Sequence, residues 1–76
     1  MSTFRIQVCS DVDYEKLIAE VYVDEKFVAL VNQERGDGVL EVVFPGPSQN
    51  EFIVTRHVEL PTLLQALNVA EKELTR

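Results

Sequence analysis

The chain has 76 residues, with 13 Asp and Glu against 7 Lys and Arg, for a formal net charge of −6. A chain this short holds one hydrophobic core, and its 46% apolar and 26% charged content excludes disordered and collagen-like classes. The acidic balance argues against direct nucleic-acid binding and favours a basic partner, if any.

No apolar run reaches the ~20 residues that span a bilayer, and the first residues lack a basic-then-apolar leader. The one cysteine, Cys9, has no second thiol for an internal disulfide. Together these set the expectation of a cytoplasmic protein with no membrane partner.

Phe4-Arg5-Ile6-Gln7-Val8 alternates apolar and polar residues with period two, the pattern of a half-buried strand. A polar stretch, 10–15, ends it. Leu17 to Val23 and Phe27 to Gln33 are β-branched and aromatic runs separated by Asp24-Glu25-Lys26, which predicts a hairpin. A two-residue turn at Asp24-Glu25 requires Glu25 to adopt positive φ without being Gly, a strain that a longer loop would relieve. Arg35-Gly36-Asp37-Gly38 is a second turn, Val39 to Phe44 a fourth strand, 45–50 a loop and Phe52 to Val58 a fifth strand. Pro61 suits the first turn of a helix. From there Leu60, Leu63, Leu64, Leu67, Ala70 and Leu74 recur at steps of three and four, predicting an amphipathic helix of about 14 residues. Thr62, Gln65, Asn68, Lys72, Glu73 and Arg76 lie on its other side.

The predicted fold is α+β, a four- or five-stranded antiparallel meander sheet with one C-terminal helix packed on one face. Phe4, Ile6, Val8, Leu40, Val42 and Phe44 belong to the helix-facing side. A turn at residues 24 and 25 sets Val21 opposite Val28 and Ala19 opposite Leu30 on that side. The same register puts Tyr22 opposite Phe27 and Ile18 opposite Val31 on the outer face, with Glu20 beside Ala29. Val39, Val43 and Ile53 are expected to join them. An antiparallel sheet normally shows a polar outer face, and contiguous apolar surface there marks an interface. Ile18, Glu20, Tyr22, Phe27 and Val31 are therefore the candidate partner-binding residues, facing another protein chain, either a second copy or a basic protein.

The charge is concentrated. Between Asp11 and Glu41 lie nine acids and three bases, and the remaining acids and bases cancel. In a meander the loop 10–16 and the turn 34–38 emerge at one end of the sheet. Asp11, Asp13, Glu34 and Asp37, with Glu15, then form an acidic edge that would steer a basic partner. Catalytic residues are not expected: Cys9 and His57 are single copies that strand alternation does not bring together. Asp11, Asp13 and Glu15 have the opening spacing of a calcium loop, but Lys16 and Tyr22 occupy its sixth and twelfth positions. Neither a glycine-rich phosphate loop nor a paired-cysteine zinc pattern occurs, so no metal or cofactor is expected. Arg35-Gly36-Asp37 matches a cell-adhesion tripeptide by chance.

The stretch from Ala19 to Glu34, AEVYVDEKFVALVNQE, resembles one found in short uncharacterised bacterial proteins of this length, which carry Gly where Glu25 stands here. Size, charge and fold class also resemble, loosely, the immunity proteins that neutralise secreted toxins. That likeness implies a non-enzymatic protein-binding domain, of the immunity or inhibitor kind, that occludes a basic partner. Two alternatives stand beside it: an obligate homodimer with a structural role, joined through the apolar sheet face, and an acidic nucleic-acid mimic.

Overall fold

The computed structural model describes residues 3–36, 38–47 and 52–76. It contains β1 (Phe4–Cys9), β2 (Ile18–Val23), β3 (Lys26–Asn32), β4 (Glu41–Val43) and α1 (Leu60–Thr75). The strands form one antiparallel sheet in the order β1-β2-β3-β4, and α1 packs on one face of it. The fold is α+β, with four strands.

The segment read as a fifth strand makes only an isolated bridge, parallel, between Val54 and Phe27. The Phe27 N–H donates to the Ile53 carbonyl, and the Thr55 N–H donates to the Phe27 carbonyl. Residues 41–43 and Val54 use the same edge of β3, at its two ends. A full strand at 52–58 would compete with β4 for that edge.

The hairpin closes with the two-residue turn, and both Asp24 (φ 50°) and Glu25 (φ 66°) are left-handed. Tyr22 pairs with Phe27 as expected. Beyond that pair the register departs from a regular ladder: Val21 faces Ala29 and Ala19 faces Val31, so Val28 is the extra residue of a β-bulge. The bulge turns Val28 and Ala29 both toward the helix, where they are buried. It also brings Val31 into the core and moves Leu30 to the outer face.

The core joins Ala19, Val21, Val23, Val28, Ala29 and Val31 to Ala66 and Ala70 of the helix, edged by Phe4, Ile6, Leu40, Val58, Leu63, Leu67 and Leu74. The buried helix residues are Thr62, Ala66 and Ala70, so the contact stripe is rotated from the leucine stripe read in the sequence. Small side chains at i, i+4 and i+8 let the helix sit close on β1 and β2, the strands it packs against. The consequence is that Leu60 and Leu64 stay in solvent, 65% and 53% exposed. No helix among the described residues is long and apolar enough to cross a membrane.

Candidate functional site

Of the five residues assigned to a partner-binding outer face, the structure brings Glu20, Tyr22 and Phe27 together and removes two. Val31 faces the helix, inside the core, because of the bulge. Ile18 lies on the outer face opposite Cys9 but is 0% exposed, so neither residue offers surface to a partner.

The remaining three form a closed cluster. The Tyr22 and Phe27 rings meet edge to face at 5.8 Å. The Arg5 guanidinium covers the Tyr22 ring at 4.2 Å, and the Tyr22 hydroxyl donates to Glu20 Oε1 at 3.2 Å. Burial, the Glu20 charge and its hydrogen bond push the Tyr22 phenol up, against a smaller opposite pull from Arg5. Leu30 and Val43 complete this face, both half-buried. The outer face is a polar-capped aromatic cluster, not an open apolar sheet. Val39 and Ile53 are exposed nearby.

The two loops of the expected acidic edge meet at one end of the sheet. The Glu34 carboxylate accepts the backbone N–H groups of Glu15 (2.8 Å) and Lys16 (3.2 Å). The Gln33 amide donates to the Leu17 carbonyl at 3.0 Å. Buried Asn32, 2% exposed, donates to Glu41 Oε1 and accepts the Glu34 N–H. Glu34 thus works as an internal tie between two loops, and Arg35 pairs with Glu41 at 3.2 Å. Asp11 likewise accepts the Asp13 N–H at 2.9 Å, so Asp11 and Glu34 both brace loop backbone while adding their charge to that of Asp13 and Glu15. Asp37 lies outside the described residues. Among the described residues no three His, Cys, Asp or Glu side chains gather to hold a metal ion.

Cys9 ends β1 beside Ile18, whereas His57 follows Val54, which bridges to Phe27 near the hairpin turn. They lie toward opposite ends of the sheet. Burial pushes the Cys9 thiol up, helped by Glu20 and Asp11, a setting opposite to the electropositive one that makes a thiolate.

Sequence reasoning missed the accessible apolar surface on the helix side. Leu40 and Val42 face the helix as predicted, but α1 sits over β1 and β2 and leaves β4 uncovered. The result is an open groove of about 200 Å³ lined by Val31, Leu40, Val42, Leu67, Asn68 and Glu71. Leu60 and Leu64 lie one turn apart on the helix flank that carries Leu67 and Glu71, by the 3.6-residue period, so they extend the apolar wall. By alternation Phe44, 63% exposed, follows on the Val42 side of the chain. The signal available in sequence was the width of the apolar arc: Leu60, Leu63, Leu64 and Leu67, taken with Ala66 and Ala70, cover about 160° of helix surface at 100° per residue, more than one contact stripe buries.

Compared with known proteins, the chain matches no family model, no curated protein and no solved structure.

Proposed function

We infer that this chain is a small acidic protein-binding domain, without catalytic chemistry of its own, that takes an apolar segment of a basic protein into the groove between α1 and β4. The observation that carries the reading is the exposure of Leu60 and Leu64 on the groove-side flank of a helix whose opposite flank is already seated. Solvated leucines beside Leu67 and Val42 supply the burial that drives association, roughly 25 cal/mol per Å² covered. The occupant is basic because the chain carries −6 and Glu71 stands at the groove wall. Asp11, Asp13 and Glu15 add long-range attraction that raises the on-rate. Occlusion of a basic protein in the manner of immunity or inhibitor proteins is consistent with this, as is a reducing cytoplasmic setting for the lone Cys9.

The test is a phage-displayed random peptide library panned on the wild type and on Leu64→Lys. Enriched peptides should carry two apolar anchors flanked by Lys or Arg. They should bind the wild type at least tenfold more tightly than Leu64→Lys by fluorescence anisotropy, and bind Gln7→Glu unchanged. Failure to enrich any motif, or equal binding to Leu64→Lys, overturns the groove as the site.

A further inference from the structure

The second open feature is the free edge of β1. Asp24 N–H donates to the Thr3 carbonyl at 2.8 Å, which fixes the phase of the β1–β2 ladder. Hydrogen-bonded pairs alternate in an antiparallel ladder, so Arg5–Tyr22, Gln7–Glu20 and Cys9–Ile18 are the bonded pairs of that register. Phe4, Ile6 and Val8 therefore turn their N–H and C=O groups outward, along an edge that no described strand covers.

This edge lacks the devices that normally blunt one. It is six residues long, FRIQVC, with no Pro, Gly or bulge. Its only charge, Arg5, is drawn back over the Tyr22 ring at 4.2 Å and paired with Glu25 at 3.3 Å, away from where a neighbouring strand would lie.

We propose that β1 pairs antiparallel with β1 of a second copy, about a two-fold axis through Ile6, to make one continuous eight-stranded sheet. The outward backbone groups of residues 4, 6 and 8 meet their equivalents in any register that pairs even-numbered residues, and of these only centring on Ile6 pairs all three among themselves. Phe4 then faces the partner's Val8 and Ile6 faces the partner's Ile6, apolar on apolar. Arg5 faces the partner's Gln7, so no like charges oppose directly. Residues 3–9 contain no acid, and two chains of −6 thus meet along the strand where their own repulsion is least. The isologous geometry closes at two copies. This proposal is independent of the groove reading.

Sedimentation velocity from 1 to 200 µM should show a mass near twice the 8.6 kDa chain. Val8→Pro removes an outward N–H while sparing the ladder to β2, and should give a monomer with unchanged circular dichroism. Thr3→Cys reads the register directly. Position 3 falls opposite the partner's Cys9 in a non-hydrogen-bonded pair with Cα atoms about 4.5 Å apart, within disulfide reach. The two positions within one strand are much too far apart to bridge. Mild oxidation should therefore convert Thr3→Cys, and not the wild type, to covalent dimer. A monomer at every concentration overturns the proposal, as does a dimer that survives Val8→Pro and gives no Thr3→Cys cross-link. A dimer lost in Leu64→Lys instead would place self-association in the groove and overturn the edge.

Discussion

The guanidinium carbon of Arg5 lies 4.2 Å from the centroid of the Tyr22 ring, across the β1–β2 ladder where the two residues are paired. The same guanidinium donates to Gln7 Oε1 at 2.8 Å and to both Glu25 carboxylate oxygens, so one side chain spans the strand, its neighbour and the turn. The ion pair contributes little, because its partners are 43% and 73% exposed. The stacking is the larger part, about 0.5–1 kcal/mol for a site with this access to water. Arg5→Ala should lose about that much in urea denaturation. Arg5→Lys should fall between, since an ammonium keeps the charge but not the flat contact. Equal stability for Arg5→Lys and wild type would show that the plate adds nothing.

The turn beside it is strained in one specific place. Asp24 tolerates the left-handed region and its carboxylate accepts the Thr3 N–H at 3.1 Å, but Glu25 at φ 66° has no such compensation. Glu25→Gly should stabilise the fold by about 0.5–1 kcal/mol, after loss of the exposed pair with Arg5 and the greater freedom of Gly in the unfolded chain. That corresponds to a rise of a few degrees in Tm for a domain this size. A lower Tm would mean that the carboxylate contributes more than the backbone strain removes.

The same hairpin shows how far sequence could be followed. Periodicity located all four strands and the helix, and the strain at Glu25 was visible as a non-glycine residue where a two-residue turn needs one. The bulge at Val28 was not visible. A regular ladder and a bulged one bury equally apolar sets here, Val28 with Leu30 or Val28 with Ala29 and Val31, so the pattern cannot choose between them. That one inserted residue moved Val31, one of the five predicted site residues, from the outer face to the core. On the helix, Leu63, Leu67, Ala70 and Leu74 of the expected stripe do pack on the core, but its centre is shifted toward Thr62 and Ala66, leaving Leu60 and Leu64 outside. Small side chains at the centre of the contact let the helix approach the sheet closely. The meeting of the loops around residues 15 and 34 was legible because loop order in a meander places both at one end. That Glu34 is consumed as an internal tie was not, because it depends on which N–H groups the loop leaves unpaired.

Glu34 is the case where a charge has a structural duty. Its two carboxylate oxygens take the N–H groups of Glu15 and Lys16, which a loop without regular pairing would otherwise leave to water. Glu34→Ala should cost about 1 kcal/mol, since hydrogen bonds to a charged acceptor exceed neutral ones. Its sharper readout is local: amide exchange at residues 15 and 16 should quicken at least tenfold while exchange in β2 and β3 changes only with global stability. Unchanged exchange at both amides would show that the loop holds its shape without the carboxylate.

Alkaline pH tests the buried side of the outer face. Cys9 and Tyr22 both hold their protons more tightly in the fold than their ordinary values of 9.0 and 10.0, the thiol through burial and then Glu20 and Asp11, the phenol through burial and then Glu20. Above about pH 9 the unfolded chain ionises these groups first and binds fewer protons than the folded one, so stability falls as pH rises. It is fully present below pH 9, where both states are protonated. The urea midpoint of the wild type should therefore drop between pH 8 and pH 10.5. The double variant Cys9→Ala, Tyr22→Phe should start less stable, having lost the hydroxyl bond to Glu20, and then decline less over the same interval. Parallel decline of the two proteins would assign the alkaline loss to other groups. A flatter profile in the variant would tie it to the pair of acidic hydrogens that β1 and β2 hold beside Glu20.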